Sequence, residues 1–157
     1  MNVRIGGEFS DIVRDAFLAR GHNAESVDLV PSERPGPHRQ CDLLTIIDDG
    51  WADLLIFHPP CDYLANSGVQ WLHNTPARPK PGVLYGAARW SAMYEAADFF
   101  LRGQNARVAC IAIENPIPHK YARALMGNYD QIIQPNEFGH GETKATCLWL
   151  KNLPRLQ

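Results

Sequence analysis

Long apolar runs are missing from this chain. None of its 157 residues belongs to a stretch approaching the roughly 20 apolar positions of a membrane-spanning helix, so no membrane span is expected. Charge of one sign is also scarce. Lys and Arg number 15 against 17 Asp and Glu, and a net charge of −2 provides no basic field for nonspecific nucleic-acid binding. Cysteine is sparse, with four residues at 41, 61, 110 and 147 and no CxxC pair, so neither a disulfide framework nor a zinc finger fits. His58 and Cys61 make an HxxC spacing, and His119, His140 and Cys147 are further candidate ligands, but no HExxH or finger pattern is present and no metal is expected. Also absent are an N-terminal signal peptide, an internal repeat, a low-complexity tract and a full GxGxxG. A reducing cytoplasm is the expected setting.

What is present reads as one α/β domain, residues 1–157, with core enough to fold alone. Met1 to Ile5 is an expected first strand, followed by a Gly6-Gly7 turn and a helix from Ile12 to Arg20 capped by Ser10 or Asp11. Ala24 to Val30 is an expected second strand, and the proline-rich stretch Pro31 to His38 a loop. Leu43 to Ile47 fits a short helix or a strand. Asn74 to Pro81 is too rich in proline for regular structure and is expected to be a mobile loop. Apolar spacing predicts a long helix over Tyr85 to Arg102 and another over His119 to Met126, ended by Gly127. Tyr129 to Ile133 and Thr146 to Leu150 look like strands, separated by the glycine-bearing loop Phe138 to Glu142. Strands alternating with helices imply three layers around a mostly parallel sheet.

Two apolar runs carry the chemistry. Leu54-Leu55-Ile56-Phe57 is stopped by His58-Pro59-Pro60 and delivers Cys61 where strand becomes loop. Val108 to Ile113 ends in the same way at Glu114-Asn115-Pro116. Ligands bind at the carboxyl edge of open α/β sheets, so a thiol and a carboxylate at two strand ends form a candidate reactive pair. Each also has an ordinary reading. A free cysteine is most often a small buried hydrophobe, and a carboxylate near the core can simply bind loop amides. Glu8 in the first turn suits a nucleotide-like ligand, and Asp28 suits its ribose hydroxyls. Trp71, in the loop after Cys61, could stack on a base.

Taken in order, these pieces resemble the catalytic half of a DNA cytosine-5 methyltransferase. Gly6-Gly7-Glu8-Phe9 stands at the cofactor turn, Asp28 at the ribose acid and Asp42 beside the adenine. Pro60-Cys61 matches the Pro-Cys nucleophile, and Glu114-Asn115 the Glu-Asn pair. Phe138-Gly139, Lys144 and the strand TCLWL are similar to the family's late aromatic-Gly turn and basic run, with Lys144 where arginines are usual. The chain is also similar to short phage-type members carrying HPPC, IENP and FGHGETKATCLWL.

The resemblance implies a Rossmann-like S-adenosylmethionine-dependent methyltransferase fold, without a target-recognition domain, working in a bacterial host cell. Gly7, Glu8, Phe9, Asp28, Asp42 and Pro59 would hold S-adenosylmethionine. Cys61 and Glu114 would be catalytic, and Asn66, Ser67, Trp71, Asn115 and Lys144 would meet the substrate. That substrate would be DNA or a cytosine nucleotide, alone or presented by a partner protein or a second copy. Two other readings stay open. His58-Pro59-Pro60-Cys61 also resembles the (Asp/Asn)-Pro-Pro-aromatic motif of amino-methyltransferases, and the domain could hold a nucleotide or the cofactor without turnover.

Overall fold

The most apolar strands build a parallel core. The computed structural model describes residues 1–139, 141 and 143–157. His140 and Glu142, the third and last residues of the expected glycine-bearing loop, lie outside the described residues. Strand β1 (Asn2–Gly6) pairs in parallel with β2 (Asn23–Asp28) on one side and β4 (Leu54–Phe57) on the other. β4 continues in parallel to β5 (Cys110–Pro116), and a short β3 (His38–Gln40) closes the far edge beside β2. β7 (Thr146–Lys151) then runs antiparallel between β5 and β6 (Gln131–Ile133). Among the described residues the order is β3-β2-β1-β4-β5-β7-β6.

β4 explains why its sequence lacks alternation. Leu54 and Ile56 pack with Val3, Ile5 and Ala24 under helix α1 (Ile12–Leu18). Leu55 and Phe57 face the other way, toward Met93, Ala97 and Phe100 of helix α2 (Gly86–Gln104) and Ala122 and Met126 of helix α3 (Lys120–Met126). A strand covered on both faces has no solvent side to spend on polar residues. Each fully buried side chain of this size contributes roughly 1.5–3 kcal/mol.

Several elements differ from their expected extents. β2 ends at Asp28, because the backbone after it turns: Val30 N–H donates to the Asp28 carboxylate at 3.1 Å. β3 begins at His38, the last residue of the stretch read as loop, and three residues carry too little pattern to be seen in a sequence. α1 stops at Leu18, and Asp11 occupies its N-cap position in a left-handed conformation with no capping bond. Its carboxylate is drawn away by the Ser26 and Ser32 hydroxyls and by Arg14 at 2.8 Å. Leu43–Thr45 and Asn66–Leu72 are 3-10 turns. Residues 74–80 contain no helix or strand, as their prolines require. No helix among the described residues is long and apolar enough to cross a membrane.

Candidate active site

The first turn is built by close approach. Gly7 N–H donates to the Val27 carbonyl at 2.8 Å, and His58 N–H donates to the Gly6 carbonyl at 2.8 Å, drawing β1, β2 and β4 together at their carboxyl ends. Gly7 has φ 75°, and a Cβ there would collide with the His58 carbonyl oxygen, so the turn demands glycine twice over. The resulting cleft of about 490 Å³ is bordered by Gly7, Asp28, Asp42, His58 and Pro60, with Leu29, Leu43 and Phe99 giving it an apolar lining. A second hollow of about 310 Å³ shares Gly7 and His58 and adds Glu8, Phe9 and Ile12.

Glu8 is not free for a ligand as the sequence suggests. It is 6 % exposed, and its two oxygens accept from Val13 N–H at 2.7 Å and Arg14 N–H at 3.1 Å. It therefore does the work expected of Ser10 or Asp11, satisfying the open amides of the helix start. Asp42 caps the 3-10 turn through Leu44 N–H at 2.9 Å while its side chain stays at the cleft rim.

The Pro-Pro-Cys loop is anchored at three points. Cys61's carbonyl accepts from Leu64 N–H at 3.0 Å and Ala65 N–H at 2.9 Å, closing a tight turn. Buried Asn115 donates from Nδ2 to the Pro59 carbonyl at 3.5 Å, and its Oδ1 has no partner among the described residues. His119, 2 % exposed, accepts from Ala122 N–H with Nδ1 at 3.1 Å, and Nε2 lies 2.9 Å from the Tyr63 carbonyl. Burial above all, with Arg89's charge working the same way, holds the His119 imidazole below its usual value against two opposing hydrogen bonds. Arg89, reaching from α2, donates to the Asp62 carbonyl at 2.8 Å and lies 5.1 Å over the Tyr63 ring.

β4 and β5 pair with Phe57 opposite Ile113, so the residues after them meet. His58 Nδ1 sits 3.3 Å from Glu114 Oε2. Three residues beyond His58, Cys61 opens onto a third cleft of about 410 Å³ with Tyr63, Ser67, Trp71 and Arg89 around it. Cys147, paired with Asn115 across β5 and β7, is fully buried, and that burial, reinforced by the Glu114 charge, pushes its thiol up to about 11.

The sequence-derived candidates thus divide. Gly7, Asp28 and Asp42 line the large cleft, and Glu8 and Phe9 line the smaller one. Pro59 is buried between His58 and Pro60 and lines neither. Cys61, Ser67 and Trp71 share the third cleft, and Asn66 lies outside it with its N–H bonded to Ile117. Asn115 stands behind Pro59, while exposed Lys144 lies two residues before Thr146, which pairs with Pro116 at the same sheet edge. Among the described residues no group of three or more His, Cys, Asp or Glu could hold a metal ion. Sequence reasoning passed over Arg89 and His58's contact with Glu114, and saw His119 only as a helix start and a candidate metal ligand, not as an anchor of the Cys61 loop. Arg89 left one signal: it falls in the apolar stripe of α2, four residues before Met93.

The strand order and the antiparallel β7 define a three-layer α/β Rossmann-like methyltransferase fold. No family profile matches the chain, and no curated protein does. A solved structure that does match is a protein provisionally named a DNA modification methyltransferase encoded within an E. coli prophage, with a TM-score of 0.52 at 14% identity. The match covers 96% of this chain and 46% of that one, so the chain spans about half its length.

Proposed function

We propose that this chain transfers a methyl group from S-adenosylmethionine to C5 of cytosine, in DNA or a nucleotide, through a covalent Cys61 adduct. The observation that supports the reading is the β4–β5 register, which sets His58, at the start of the Pro-Pro-Cys loop, 3.3 Å from Glu114. The large cleft fits the cofactor. It has a glycine turn that a Cβ would fill, an apolar lining for a base, and two acids at its rim. Gly7, Asp28 and Asp42 would hold it there. When bound, S-adenosylmethionine supplies an electrophilic methyl on a sulfonium sulfur.

The residues of the chain do the rest. The Cys61 thiolate adds to C6 of cytosine, and the electron pair displaced from the C5–C6 double bond makes C5 nucleophilic. Glu114 holds N3 and the exocyclic amine and stabilises the charge that addition creates. Asn115 fixes the Pro59 carbonyl so that the sulfur keeps its line of attack. After methylation a base takes the C5 proton, the C5–C6 double bond reforms and the Cys61 sulfur leaves. In duplex DNA the base must first be flipped out.

A second reading, binding without turnover, is favoured by the separate lining of the clefts: Gly7, Asp28 and Asp42 border one, and Cys61 opens onto another. One experiment separates them. An oligonucleotide carrying 5-fluorocytosine, incubated with S-adenosylmethionine, is expected to form an adduct at Cys61 visible by mass spectrometry and lost in Cys61→Ser. Cofactor bound in calorimetry with no adduct on any cytosine substrate would favour the binding module.

A further inference from the structure

The Cys61 cleft does not end at Trp71. Trp71 meets Tyr85 edge to face with ring centroids 5.5 Å apart, and two residues on, His73 meets both Trp90 at 5.6 Å and Tyr121 at 5.5 Å. Trp90 touches Tyr121 at 4.9 Å and Tyr94 at 6.1 Å. The six rings form two groups, Trp71 with Tyr85 at the cleft and His73 with Trp90, Tyr94 and Tyr121 beside it, and the short Trp71–His73 stretch of chain joins them into one track. It is not closed core: Tyr94 is 54% exposed, His73 is exposed, and Trp90 and Tyr121 are only half-buried.

Cations flank the track. Lys120 lies 4.8 Å over the Tyr121 ring, and exposed Arg123 follows on α3. Lys80 is tied to the track's near end by its N–H, which donates to the Tyr85 hydroxyl at 3.2 Å, and Arg78 is exposed two residues earlier. Among the described residues none of these four has a carboxylate partner. Glu95 and Asp98, exposed on α2 beyond Tyr94, mark where an anion would cease to be welcome. Stacking rings bordered by unpaired cations suit a flexible polyanion with flat bases, and a duplex keeps its base faces hidden.

We propose that this track seats a single-stranded DNA segment flanking the base held at Cys61, a substrate class that rests on the cytosine reading above. The rings stack on neighbouring bases, and Lys80, Lys120 and Arg123 meet their phosphates.

The test is a fluorescence-anisotropy titration with labelled oligothymidylate, which contains no cytosine, beside a duplex of equal length, both without cofactor. The single strand is expected to bind more tightly, to quench tryptophan emission and to weaken as salt rises. Tyr94→Ala, at an exposed position outside the buried core, is expected to weaken binding about ten-fold, within the range for one base–aromatic stack. Lys120→Ala should lessen the salt dependence. Equal affinity in wild type, Tyr94→Ala and Trp90→Leu, or a duplex bound better than the single strand, would overturn the proposal. The two readings fail separately. A 5-fluorocytosine adduct with Tyr94-independent binding removes the track alone, and Tyr94-dependent binding without an adduct removes the chemistry alone.

Discussion

His58 and Glu114, 56 residues apart in the chain, stand 3.3 Å from each other at the carboxyl edge of the sheet. Each follows a buried strand residue, Phe57 and Ile113, and the parallel pairing of those two brings the side chains together. The imidazole also borders both hollows beside Gly7, so it links the proposed cofactor site to the carboxylate.

Removing either partner is expected to impair chemistry more than folding, since both are partly exposed. Glu114→Gln should lower methyl transfer by about 10²–10³-fold, the range for loss of one preorganised polar group, with little change in melting temperature. His58→Asn should cost less. If the two act as a unit, the double variant will lose less than the product of the single losses. Single-turnover assays with labelled cofactor measure all three, and fully multiplicative losses would show the contact to be incidental.

The first turn admits a separate test. Gly7→Ala forces a Cβ against the His58 carbonyl at a left-handed backbone position, which costs about 1–3 kcal/mol. Cofactor affinity should fall with stability. Asp28→Ala, at a half-exposed rim position, should weaken S-adenosylmethionine without a matching drop in melting temperature. Calorimetry beside thermal melts distinguishes the two. Unchanged affinity in Asp28→Ala would move the ligand out of this cleft.

The cysteines should differ in reactivity. Iodoacetamide at neutral pH is expected to alkylate Cys61, which opens onto a cleft, and to spare Cys147, which is fully buried with its thiol pushed up to about 11. Peptide mapping before and after unfolding reads this directly. Labelling of Cys147 in the folded protein would contradict its packing between β5 and β6.

Acid should loosen the Cys61 loop through His119. Burial lowers the folded imidazole below its ordinary 6.5, so as pH falls past that value the unfolded chain takes up the proton first. The stability that depends on neutral His119 is therefore complete above about 6.5 and is lost as pH falls through the lower folded value. Melting temperature should decline as pH falls below about 6.5. His119→Asn keeps a capping side chain but has no imidazole, so that decline should flatten. Asp11 acts in a lower window: burial opposes its ionisation, but the Ser26 and Ser32 hydroxyls and Arg14 prevail and keep it below the usual carboxylate range.

The sequence by itself determined the features that act locally. Leu54 to Phe57 is apolar without interruption because a central strand has two covered faces, and His58-Pro59-Pro60 must end it because proline cannot donate to a neighbouring strand. That is enough to place Cys61 just past a strand end and Gly7, Asp28 and Asp42 along the early edge, whereas Glu114, expected just past Ile113 at a strand end, lies inside β5, which runs on to Pro116 because β7 pairs with it there. Tertiary structure alone decided what those ends meet. Glu8 went to the α1 amides once the Ser26 and Ser32 hydroxyls and Arg14 took Asp11's carboxylate, a competition among residues 15 and 21 positions apart that no local pattern records. β7 entered between β5 and β6, setting Cys147 behind Asn115. Arg89 crossed from α2 to hold Asp62, and His58 found Glu114. Side-chain partners across a sheet depend on register and strand order, which the whole core settles together, whereas a strand's composition answers only to the two faces it must cover.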